Sequence, residues 1–176
     1  MTIPNLITVA RLLMVPLVVV MIGAGHWAAA FAIFLLAGVS DAIDGFIARR
    51  WGMQSELGAY LDPLADKALL VSIYVALAIH GVLPGWVAIV VVFRDIMIVA
   101  ALLLSMLLDK PMEVRPLIVS KLNTGAQIGF AALMLGSNAF GGAPPLLVEV
   151  GLMLTVALTL CSAGAYLVLW LRHMAA

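Results

Sequence analysis

Long apolar runs make up most of the chain, and short polar or glycine-rich breaks separate them. The breaks fall at GAGHW (23–27), RRWGMQSELG (49–58), HGVLPGW (80–86), DKPMEVRPLIVSK (109–121) and GSNAFGGAPP (136–145). They leave six runs, at 5–22, 27–49, 58–80, 85–108, 117–137 and 145–171. Wound as a helix at about 1.5 Å per residue, each run can cross an apolar layer of roughly 30 Å. The pattern predicts an all-α integral membrane protein: one domain over residues 1–176, six transmembrane helices, and no linker or internal repeat.

Composition agrees. Of 176 residues, 65% are hydrophobic and 10% charged, whereas a soluble domain carries about 25% charged residues. Nine basic residues balance nine acidic ones, so the chain lacks the basic surface that a nucleic-acid partner requires. A single cysteine, Cys161, rules out an internal disulfide or a cysteine-based zinc site. The opening MTIPNLITVARLLMVPLVVV has no basic residue ahead of its apolar run and is expected to be a retained first span rather than a signal peptide.

Charge placement then orients the chain. Arg11, Arg49, Arg50, Lys110, Arg115, Lys121 and Arg172 lie near the N-terminus, in the second and fourth breaks and near the C-terminus. The positive-inside rule therefore puts both termini in the cytoplasm. Trp27, Trp51, Trp86 and Trp170 stand at span ends, as interfacial anchors do.

Acidic residues within such a chain are costly and usually functional. Asp41 and Asp44 share one face of the second helix with Gly45, Ala48 and Arg49, and Gly58, Asp62 and Asp66 share one face of the third. Pro63 suits the first turns of that third helix. The connection is short, so the two faces should meet at the cytoplasmic end. Four carboxylates brought together need cations to coexist, and among nearby basic residues only Arg49 and Lys67 look placed to help. An all-oxygen donor set suits Mg2+, Mn2+ or Ca2+, and a metal pair suits displacement at phosphorus. Gly45, Ala48 and Gly58 leave room for a flat or bulky group such as a nucleotide, and Arg49 offers a fork for a phosphate.

Taken together, Asp41-x2-Asp44-Gly45-x2-Ala48-Arg49-x8-Gly58-x3-Asp62-x3-Asp66 resembles the full signature of the CDP-alcohol phosphatidyltransferases. The resemblance implies that Asp41, Asp44, Asp62 and Asp66 bind two divalent cations, Mg2+ or Mn2+. It makes Asp62 and Asp66 the catalytic pair, with Asp66 as general base for the acceptor hydroxyl. Asp41, Gly45, Ala48, Arg49 and Gly58 would form the cytidine-diphosphate pocket. The reaction implied is transfer of a phosphatidyl group from CDP-diacylglycerol to an alcohol, releasing CMP. A homodimer in a bacterial cytoplasmic or mitochondrial inner membrane is implied as well.

The stretch Asn5-x2-Thr8-x2-Arg11 resembles the opening of the branch that makes phosphatidylglycerophosphate or cardiolipin. Asn5 and Thr8 are assigned to the CDP side on that basis, and Arg11 to the acceptor. Phe93-Arg94-Asp95-Ile96-Met97 and Ser120-Lys121-Leu122-Asn123-Thr124 look more like the cardiolipin-forming members. The glycerol 3-phosphate users usually carry Glu, Gly and Lys where Asp95, Ser120 and Asn123 stand. Losing that lysine charge suits a lipid acceptor, phosphatidylglycerol, over the small dianion glycerol 3-phosphate. Arg94 and Lys121 are the expected acceptor-phosphate ligands; the competing reading of Arg94–Asp95 is a self-compensated pair facing the bundle interior.

Other features read as structural. His26, His80 and His173 lack partners at metal-ligand spacing, and the ten Met read as packing filler. Two alternatives stay open. An Asp-rich prenyltransferase would be a larger bundle, and a divalent-cation transporter would carry polar groups through its depth.

Overall fold

Why the chain turns where it does is clearest at two glycines. Gly25 (φ 73°) and Gly81 (φ 71°) adopt left-handed backbone, which costs glycine nothing. His26 N donates to Met21 O (2.9 Å) and Gly25 N to Ile22 O (3.0 Å); Val82 N donates to Leu77 O (2.9 Å) and Gly81 N to Ala78 O (3.1 Å). Both are Schellman terminations, which satisfy the last carbonyls of a helix and reverse the chain within a few residues. Pro84 caps the next helix at φ −59°, and Pro145 opens the last, positions where a missing amide is harmless.

These signals delimit the elements of the computed structural model. It describes the backbone of residues 3–51, 56–108 and 117–175, and the side chains of 7–41, 43, 65–108 and 117–175. The helices are α1 (Ile3–Gly23), α2 (Trp27–Trp51), α3 (Glu56–Ile79), α4 (Gly85–Leu107), α5 (Ile118–Phe140) and α6 (Pro145–Ala175). They follow the six apolar runs to within a few residues. Pro63 is the eighth residue of α3, deeper than expected, and its missing amide leaves the Ala59 carbonyl without an i+4 donor. Among the described residues α4 and α6 are long and apolar enough to cross a membrane, and α1 and α2 hold shorter apolar stretches, Ile7–Gly23 and Trp27–Asp41.

The helices group into two compact units. The first comprises residues 1–83 and 131–143, and the second 84–130 and 144–176, so α5 contributes to both. In the first, α1 packs on α2 and α3 around Val18, Ile22, Ala30, Phe34, Ile73, Tyr74, Leu77 and Leu135. Phe31 meets Phe140 edge-on at 5.7 Å.

In the second unit α4 packs on α6, and the usual pattern is inverted. The buried residues of α6 are Thr155, Thr159, Ser162 and Tyr166, spaced four, three and four apart on one face. Its exposed residues include Leu146, Leu147, Val150, Met153, Leu154, Leu160, Leu167 and Leu171. A helix that faces water hides its apolar stripe; this one hides its polar stripe and exposes leucine.

Candidate active site

Three helices of the first unit bring charge to one point. Arg11, on α1, is fully buried, while the side chains of Asp41 on α2 and Asp66 on α3 are each 45% exposed. Arg11 Nη1 lies 2.8 Å from Asp41 Oδ1 and 2.8 Å from Asp66 Oδ1. That nitrogen carries two hydrogens, so it can donate to both carboxylates at once. The burial of α1 explains the placement. Thr8, Arg11, Val18 and Ile22 are its buried residues of this face, and the polar end of that stripe meets the acidic ends of the two neighbouring helices.

Asp41 and Asp66 therefore converge as the spacing predicts. Arg11, expected at the acceptor, pairs with both carboxylates here; the side chain of Arg49, expected to help neutralise them, lies outside the described residues. Thr8, expected on the CDP side, is also buried, at 2% exposure. Asp44, Gly45, Ala48, Arg49, Gly58, Asp62 and Asn5 fall on the backbone of α1–α3 but outside the described side chains. Among the described residues no group of three or more metal-ligating side chains occurs. The pair that is described suits a hard divalent cation: both donors are carboxylate oxygens, they come from two helices, and they already converge on one cationic nitrogen.

The second unit holds a separate cluster. Arg94 on α4 is 4% exposed. Its Nη2 donates to Ser120 Oγ (2.6 Å) and Ser162 Oγ (2.7 Å), its Nε to Ser162 Oγ (3.2 Å), and its Nη1 to Asp95. Arg94 Cζ also stands 5.8 Å from the centroid of Tyr166, within cation–π range. Four of the five guanidinium N–H groups thus have partners, and the inward-facing, self-compensated arrangement of Arg94–Asp95 is the one observed. Lys121 follows Ser120 but is exposed, consistent with the roughly 100° step between adjacent helical residues.

From this cluster a polar seam continues between α5 and α6. Thr159 Oγ1 lies 2.8 Å from Asn123 Oδ1 and accepts from Gln127 Nε2 at 3.2 Å, and Thr155 Oγ1 reaches Ala126 O at 3.5 Å. Asn123 is fully buried, and its Nδ2 is a buried donor with no hydrogen-bond partner among the described residues. The asparagine expected to mark a lost acceptor charge therefore points into the helix seam. Ser120, Ser162, Tyr166 and Thr159 were not anticipated as partners. The four–three–four spacing of polar residues along α6 is the signal that could have revealed them.

Charged side chains set in pairs among helices with apolar exteriors define an all-α protein of membrane character with built polar sites. The chain belongs to the CDP-alcohol phosphatidyltransferase family, whose sequence model it matches over residues 1–168. It is 34% identical over 153 residues to a probable cardiolipin synthase (CMP-forming) of Drosophila melanogaster, covering 78% of this chain and 48% of the fly protein. It is 32% identical over 181 residues to the Homo sapiens cardiolipin synthase (CMP-forming), covering 94% of this chain and 60% of the human one. A probable phosphatidylglycerophosphate synthase of Mycobacterium tuberculosis is 42% identical over 98 residues, covering 52% of this chain and 47% of that protein. The chain thus spans between about half and three-fifths of the length of these relatives.

Proposed function

We propose that this chain is a multi-pass membrane enzyme that transfers the phosphatidyl group of CDP-diacylglycerol to phosphatidylglycerol, forming cardiolipin and releasing CMP. The observation that carries the reaction class is the convergence of Asp41 and Asp66 from α2 and α3 within a chain of this family. The choice of acceptor is supported by the fly and human relatives, named as cardiolipin synthases, which align over most of the chain.

The membrane reading rests on the inverted packing of α6 and on helix length. From 21 residues in α1 to 31 in α6, the helices measure about 30–45 Å at 1.5 Å per residue. Under this reading all six span the bilayer, with both termini and the acidic site on the cytoplasmic side, where the basic residues gather. A homodimer is part of the proposal.

In the reaction the acceptor hydroxyl oxygen attacks the phosphorus that bears the diacylglycerol. The bond from that phosphorus to the CMP oxygen breaks, and Asp66 takes the hydroxyl proton. Asp41, Asp44, Asp62 and Asp66 are the residues that would hold Mg2+ or Mn2+, and such cations supply positive charge against the developing charge on the phosphate oxygens. Asp62 shares the catalytic assignment with Asp66. Gly45, Ala48 and Gly58 shape the cytidine-diphosphate pocket, with Asn5 and Thr8 on its edge and Arg49 on its phosphates. Arg94, with its remaining N–H, and exposed Lys121 serve the acceptor's phosphate.

A second reading, transfer to glycerol 3-phosphate, is favoured by the higher identity to the mycobacterial relative over its shorter aligned stretch. One assay separates the readings. Purified protein is given CDP-diacylglycerol and Mn2+ with phosphatidylglycerol, glycerol 3-phosphate, inositol phosphate or serine in separate reactions, and the lipid products are identified. Cardiolipin from the phosphatidylglycerol reaction alone is expected. Phosphatidylglycerophosphate would move the assignment to the second reading, and absence of CMP with every acceptor would overturn both and return the transporter to consideration.

A further inference from the structure

We propose that Arg11 is a positioning residue for the acidic site, holding the carboxylates of α2 and α3 from the buried side so that their exposed side is ready for divalent cations. This rests on the reading of those carboxylates as metal ligands. It departs from the assignment of Arg11 to the acceptor.

Burial separates the two roles. Arg11 is 0% exposed, while both carboxylates are 45% exposed. The carboxylates therefore lie between a buried cation and the outside, and an ion arriving from solvent meets them on the face opposite the guanidinium. Arg11 spends Nη1 on Asp41 Oδ1 and Asp66 Oδ1, each at 2.8 Å.

The arrangement also solves a problem that the sequence poses. Carboxylates from two helices repel one another, and in the absence of metal that repulsion would drive α2 and α3 apart. One fixed positive charge on a third helix packed against both offsets it and keeps the two Oδ1 atoms within one guanidinium's reach. The ordering is then done before the metal arrives, which is the energetic content of preorganisation. The dependence is mutual, since a fully buried guanidinium is tolerable only while paired.

The test is Mn2+ binding to the purified full chain in detergent, stripped with EDTA and titrated by the electron paramagnetic resonance signal of free Mn2+. Wild type, Arg11→Lys and Arg11→Met are compared, and the KM of each lipid substrate is measured at saturating Mn2+. Arg11→Met should weaken Mn2+ binding at least tenfold, with Arg11→Lys intermediate, because the shorter ammonium cannot reach both oxygens equally. The phosphatidylglycerol KM should stay within twofold once Mn2+ saturates. Unchanged Mn2+ affinity would overturn the proposal. Tighter binding in Arg11→Met would overturn it too, showing that the arginine competes with the metal. A raised acceptor KM with unaltered Mn2+ affinity would restore the acceptor role. If Arg11→Met does not fold, Arg11→Lys decides: two- to tenfold weaker binding supports positioning, and binding equal to wild type overturns it. Failure of wild type to bind Mn2+ at all is a different result, and it strikes the metal reading itself.

Discussion

Truncating Arg94 to alanine ought to do two separable things, and the structure gives each a size. The guanidinium donates four hydrogen bonds, to Ser120, Ser162 and Asp95. Its removal takes from Asp95, at 14% exposure, the guanidinium that it pairs with. Breaking a buried pair by deleting one partner costs about 3–5 kcal/mol, so Arg94→Ala should be severely destabilised whether or not the arginine meets substrate. Arg94→Ala/Asp95→Asn also removes the carboxylate charge while keeping the shape of residue 95, and should recover about 1–3 kcal/mol of that loss. The two singles and the double form a cycle whose coupling term should exceed about 1 kcal/mol. Unfolding is followed by denaturant titration in detergent, with the KM of phosphatidylglycerol and of CDP-diacylglycerol measured on each folded variant. If Arg94 serves the acceptor, the double variant regains stability but keeps a raised phosphatidylglycerol KM. Additive stability effects would refute the account of the pair. A phosphatidylglycerol KM restored together with stability would remove Arg94 from the acceptor site and leave it a structural residue.

Three further substitutions probe the fold. Thr159→Val keeps the shape of the side chain but strips Asn123 and Gln127 of a buried partner, and should lower stability by about 1–3 kcal/mol; a thermal midpoint equal to wild type would show that the seam contributes nothing. Gly25→Ala and Gly38→Ala should act with opposite sign, although neither new methyl meets a heavy atom within 4 Å. At Gly25 the positive φ makes alanine cost about 1–2 kcal/mol, whereas at helical Gly38 it should gain about 0.5–1 kcal/mol. Denaturation midpoints of the two variants that move in the same direction would contradict this.

The helices were legible because apolar runs and glycine or proline breaks are local signals, and α1 to α6 begin and end close to them. The pairing of Asp41 with Asp66 was legible as well, since spacing fixes which residues share a face and a short connection fixes which faces meet. What spacing does not encode is which neighbour a face meets across a long separation. Arg11 stands 55 residues from Asp66, and its position on α1 gave no hint that it would be buried behind the acids. The hydrogen-bonding roles of Ser120 and Ser162 escaped notice for a related reason. Serine and threonine tolerate both apolar and polar surroundings, so hydropathy passes over them, and on α6 only the shared face of Thr155, Thr159 and Ser162 marks a buried seam. Asn123 drew attention for the charge it lacks, and its place in the seam facing Thr159 carried no signal of its own.

The central claim is tested most directly by following CMP and cardiolipin together. Wild type and Asp66→Asn are given CDP-diacylglycerol, phosphatidylglycerol and Mn2+, and circular dichroism confirms that both are folded. The account predicts CMP and cardiolipin in equal amounts from wild type and neither from Asp66→Asn. Full turnover by folded Asp66→Asn, or wild-type CMP release without cardiolipin, would contradict it.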